Sequence, residues 1–163
     1  MRLIEGTTDV ADVTGFVDDL GAIGADHGGA LQAFDARYVA GPDHLRIAVE
    51  RANRAFERED AIADDRAVEI LCYAAARRQI NRAMEMGVSE GEGAVVVVVD
   101  GGDEAGAAKP VRDLVDPDPV LESASDPELI RDFFDVTDAE MAATDATLED
   151  LVIERVSLLV VEK

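Results

Sequence analysis

The chain has 163 residues, with 36 acids against 15 bases for a formal charge of −21, and 48% of its residues are apolar. That length suits one domain whose folding removes about two-thirds of the unfolded surface from water, and the apolar share, with mean hydropathy near zero, excludes general disorder. No apolar run approaches the ~20 residues that span a bilayer, no basic-then-apolar leader opens the chain, and a lone cysteine, Cys72, excludes a disulfide framework or a thiolate zinc cluster. The expectation is a single domain over residues 1–163, soluble and cytoplasmic, with no membrane partner.

In chain order, residues 1–5 read as a short strand closed by Gly6. From Thr8 or Asp9 onward, Val10, Val13, Val17 and Leu20 recur at helical spacing, and the glycines of residues 21–29 are expected to end that helix in a loop. Residues 31–39 read as a second strand and a turn, punctuated by Gly41-Pro42. Asp43 opens a helix with Leu45, Ala48, Val49, Ala52 and Phe56 on one face, and Arg51, Arg54 and Arg58 form a stripe beside that face. Asp64-Asp65 opens another helix, apolar nearly all round through Val68, Ile70, Leu71, Tyr73 and Ala74, and therefore central to the core. Arg77-Arg78-Gln79-Ile80-Asn81 follows, and helical spacing continues to Gly87. Propensity leaves open whether residues 65–86 are one helix or two broken near Ala76.

Residues 94–99 (AVVVVV) are an unbroken β-branched run, the pattern of a strand buried on both faces. Residues 100–109 read as a flexible loop and residues 111–115 as an edge strand or turn. Asp126-Pro127 starts a helix to Phe134, and Thr137 caps a short one. From Thr147 the alternatives are helix, strand, or helix turning to strand near Ser157. The fold class is α/β in the mixed α+β sense: one compact domain with a small mixed or antiparallel sheet packed by several helices.

The kind of acidity matters. The acids are 21 Asp and 15 Glu, and the bases are 13 Arg and only 2 Lys. Short hydrated carboxylates in place of lysine stems suit a salty cytoplasm, where the Debye length falls to about 3 Å at 1 M and self-repulsion is screened. We read the charge as an adaptation to salt rather than the acidity of an ordinary cytoplasm, so a pI near 4.2 is only a weak argument against nucleic acid. Residues 1–36 carry a net −6, residues 37–82 a net +1 and residues 83–163 a net −16. All nine bases of the middle section are Arg.

No catalytic constellation stands out. Cys72 lies among apolar neighbours and reads as a packed thiol, His27 lies in a glycine loop, and His44 lies at a helix start. Two histidines without spaced partners make no metal site, and the glycines spell no phosphate-binding loop, so no cofactor is expected. A binding protein is favoured over an enzyme. The competing reading is a small ligand-binding domain or enzyme with a pocket around His44, Cys72 and Arg78.

One stretch carries a resemblance: FDA at residues 34–36, PDHL at 42–45, an alanine-rich helix, then AVEILCYAAARRQINRAMEMGV at 67–88, with VIERVSLLVVEK closing the chain at 152–163. It resembles the small RNA-end-binding subunit of the KEOPS complex, the family that includes the eukaryotic PRPK-binding protein. The resemblance implies a non-catalytic subunit of the machine that makes N6-threonylcarbamoyladenosine in tRNA. Such a subunit binds the small atypical kinase, an ATPase, and holds the single-stranded 3′ CCA end of tRNA, while a separate transferase subunit does the chemistry. Members often carry Gly just before the basic residue of the RQI motif, where this chain has Ala75-Ala76. That departure bears on the break between two helices and on the aim of Arg77 and Arg78.

The RNA-binding candidates are Arg77, Arg78, Gln79 and Ile80, with Arg54 and Arg58 as outlying phosphate contacts. Guanidinium forks suit phosphates, an amide reads a base edge, and an apolar wall supports a splayed base. The bland alternative puts Ile80 in the core and the arginines in ion pairs with Glu69 or Glu85. The partner-binding candidates are Leu158, Leu159, Val160 and Val161, an apolar run ending an acidic half, which otherwise reads as a last strand of the sheet.

Overall fold

The computed structural model describes residues 1–160. Four strands form an antiparallel sheet: β1 (Arg2–Val10), β2 (Ala30–Asp35), β3 (Gly91–Asp100) and β4 (Asp116–Pro117), in spatial order β2-β3-β1-β4. Eight α-helices are described: α1 (Val13–His27), α2 (Pro42–Glu57), α3 (Arg66–Ala75), α4 (Ile80–Ala83), α5 (Glu104–Leu114), α6 (Pro127–Phe133), α7 (Asp138–Ala142) and α8 (Leu148–Leu158). The expected mixed α/β class holds, with the sheet wholly antiparallel.

The five valines of β3 explain the layering. Val96 and Val98 face one core with Phe34, Leu45, Ile70 and Val152, while Val95, Val97 and Val99 face a second with Ile4, Phe16, Leu20 and Val111. Helices α2, α3, α6 and α8 therefore cover one face of the sheet, and α1 and α5 cover the other. A homogeneous valine run cannot set its own register, because a one-residue slip exchanges valine for valine. The neighbours set it: Ile4 and Ala33 both lie opposite Val97, and Phe34 lies opposite Val96.

Several sequence expectations are corrected here. β1 does not stop at Gly6 but runs on to Val10. Gly6 sits where β4 crosses, and a Cβ there would collide with the Asp116 carbonyl. α1 starts at Val13, after Val10 has ended β1, and it absorbs Gly21 and Gly24 before Gly28 closes it at φ 73. Gly24 stays because Gly29 and Leu31 pack against it. Residues 104–114, read as loop and edge strand, form α5. Asp103 caps it by accepting from the Gly106 N–H, and Ala107, Ala108 and Val111 are buried against the sheet, so tertiary packing overrides weak propensity. The last segment is helical: Thr147 and Asp150 form a reciprocal capping box for α8.

Among the described residues, no helix is long and apolar enough to cross a membrane.

Candidate functional site

The break in the middle Arg-rich section is real and sharp. α3 ends at Ala75, and Ala76 adopts the left-handed conformation at φ 51, ψ 43, with the Arg77 N–H donating to the Cys72 carbonyl at 3.0 Å. An alanine there costs about 1–2 kcal/mol relative to ordinary helical backbone. Two tethers hold the turn. His44 donates from Nε2 to the Ala74 carbonyl at 2.7 Å, and Arg77 donates to the Phe133 carbonyl with its guanidinium 4.7 Å from the Phe133 ring centre. Arg77 is thus engaged inside the protein, anchoring the turn to the end of α6.

Beyond the turn, Arg78, Gln79 and Ile80 are exposed. Gln79 precedes α4 without capping it through its side chain, and Arg82 is exposed farther along the same helix. Ile80 is 41% exposed, so it is not a core residue. It lies on an apolar groove of about 150 Å³ bounded by α1, the edge strand β2, α3 and α4. Val17 and Met84, 50% and 58% exposed, line the same groove with Leu31, Ala33, Val68 and Leu71. By spacing alone, Val17 belongs to a helix face and Met84 to the helical stretch that runs to Gly87. Met84 lies four residues after Ile80, so helical spacing joins those two, but nothing in the linear pattern joins Val17 to them. The groove is smaller than the 300–1,000 Å³ typical of drug-sized ligand sites.

Arg54 and Arg58 are not brought to this groove. With Arg51, Tyr73, Ser157 and Val160 they line a separate cleft of about 220 Å³. At 3.6 residues per turn, Tyr73 lies about 140° around α3 from Val68 and about 160° from Leu71. The arginine stripe and the apolar groove are therefore on opposite sides of α3.

His44, Cys72 and Arg78 form no common pocket. His44 and Cys72 are fully buried, whereas Arg78 is exposed. The Ala40 N–H donates to His44 Nδ1 at 3.1 Å, which leaves the proton on Nε2 for Ala74. Protonating Nδ1 would set one donor against another, and burial lowers the imidazole pKa to about 4. Burial likewise pushes the Cys72 thiol up to about 11, aided by nearby Glu69, which is the opposite of an activated nucleophile.

The C-terminal run divides. Leu158, the last residue of α8, is 45% exposed and Val160 is 38% exposed, but Leu159 is packed into the core. These residues continue from a helix and pair with no strand, so they do not complete the sheet. Val161 lies outside the described residues.

Among the described residues, no group of three or more His, Cys, Asp or Glu side chains could hold a metal ion. No curated protein matches the chain. The family described as kinase binding protein CGI-121 matches residues 9–159, nearly the whole length, and the chain belongs to that family.

Proposed function

We propose that this kinase-binding protein is the KEOPS accessory subunit that also holds the 3′ CCA end of tRNA. In that role it supports N6-threonylcarbamoyladenosine formation by a transferase subunit it meets only indirectly, without catalysing a step itself, in a salty cytoplasm. The observation that carries the reading is the turn at Ala76. It ends a buried helix and leaves Arg78 and Gln79 exposed immediately before Ile80, which lines an apolar groove. A guanidinium for phosphate, an amide for a base edge and an apolar slot for a splayed base are what a single-stranded end requires. Arg77 acts here as the anchor of the turn and not as a contact. Leu158 and Val160 belong to the face that the kinase covers.

The test is binding of tRNA with and without its CCA end, at matched salt. Trimming the end should weaken binding by the wild type about tenfold, near 1.4 kcal/mol, and Arg78→Ala or Gln79→Ala should do the same. The variants should lose little more on trimming, since both changes delete one interaction. Equal affinity of the wild type for intact and trimmed tRNA would refute the assignment.

A further inference from the structure

The cleft on the far side of α3 lies apart from the apolar groove at Ile80. Arg51, Arg54 and Arg58 converge on it from the last turns of α2, with Tyr73 and Asp60 on its walls and Ser157 and Val160 from the end of α8. Arg54 is held by Glu50 at 3.0 Å. Among the described residues no ion pair engages Arg51 or Arg58, and the buried Arg51 Nε has no hydrogen-bond partner. Cationic side chains left uncommitted in a chain of charge −21 call for an anion from outside.

We propose that this cleft is a socket for an acidic side chain of the kinase partner, its carboxylate received by Arg58 and Arg51; the proposal rests on the kinase-facing role given above to the end of α8. Two observations favour a protein carboxylate over an RNA phosphate. Residues 50–60 hold four acids (Glu50, Glu57, Glu59 and Asp60) against three arginines, so an extended polyanion meets a net charge of −1 while a single carboxylate meets only the guanidinium forks. The cleft also has an exposed apolar side chain, Val160, on its wall, with exposed Leu158 next in sequence to its Ser157, and such mixed surfaces suit a protein interface with one charged anchor.

The experiment measures affinity of the full chain for the family's small kinase and, separately, for tRNA, in wild type, Arg58→Glu and Arg58→Gln at one salt concentration. Arg58→Glu should weaken kinase binding about tenfold, Arg58→Gln by less, and tRNA binding should stay within about twofold of wild type. Arg58 is exposed at the end of α2, and the neutral variant provides the measurement should charge reversal disturb the helix. Unchanged kinase affinity in Arg58→Glu overturns the socket while leaving the kinase-binding face standing. Loss of tRNA binding with kinase binding intact assigns the cleft to phosphate and overturns it too. A wild-type chain that does not bind the kinase defeats the underlying reading as well.

Discussion

His44 is a buried residue with three engaged sides. Its ring accepts from Ala40 N–H, donates to the Ala74 carbonyl and meets the Phe134 ring edge-on at 5.6 Å, while its backbone N–H donates to Glu149 at 3.3 Å. It ties the start of α2 to the last turn of α3, immediately before the Ala76 turn. A histidine whose folded pKa is lowered contributes stability in its neutral form. That contribution is complete above the unfolded value of 6.5 and is lost as pH falls toward about 4. At 1.36 kcal/mol per pKa unit, the loss across this window is about 3 kcal/mol. Denaturant unfolding of wild type and His44→Leu should show the stability gap between them narrowing by about that amount from pH 7 to pH 4. A gap that does not change with pH would contradict the role assigned to the ring.

At the scale of elements, the α3–α4 junction is where local preference and tertiary structure disagree. Nothing in Ala75-Ala76 demands a break, and alanine is the strongest helix former. The break is imposed by the tethers on either side of it, Ala74 to α2 and Arg77 to the end of α6. The end of α6 is itself held by α8, through Arg155 donating to the Phe134 and Asp135 carbonyls at 2.5 and 3.0 Å. Because Ala76 carries a left-handed conformation that glycine adopts freely, Ala76→Gly should raise stability by about 1 kcal/mol, partly offset by the entropy of glycine in the unfolded chain. The measurement is the shift in denaturant midpoint. A destabilised glycine variant would show that the junction is not strained. The opposite failure of local reading occurs at α5, where Gly106 and Pro110 suggest a loop but three buried small or branched residues make a helix that covers the sheet.

At the scale of the whole molecule, charge and layering work against each other. Two helical layers close on one sheet, and the surface that remains carries a net −21. Such self-repulsion is long-ranged in dilute buffer, where the Debye length is about 10 Å at 0.1 M, and short-ranged at 1 M, where it is about 3 Å. If the acidity is a salt adaptation, the melting temperature should rise steadily between these concentrations of KCl. A flat or falling melting temperature would show that the core alone carries the stability and that the charge serves some other end.

The sequence by itself determined the elements whose signals are local. The valine run could only be a strand buried on both faces, Asp65, Asp126 and Thr137 marked helix starts through their own side chains, and the RQI stretch carried the family resemblance. Arg78, Gln79 and Ile80 stand together as candidates for the same reason, being consecutive in the chain. What only the tertiary structure decided depends on contacts between distant residues. Arg77 and Arg78 are adjacent and chemically identical, yet Phe133, 56 residues away from Arg77, draws one inward while the other stays exposed. Val17 becomes a neighbour of Ile80 and Met84 only because β2 is an edge strand with α1 on one face and α3 on the other. Arg54 and Arg58 part from the RQI segment because α3 stands between them, and a helix hides one side from the other.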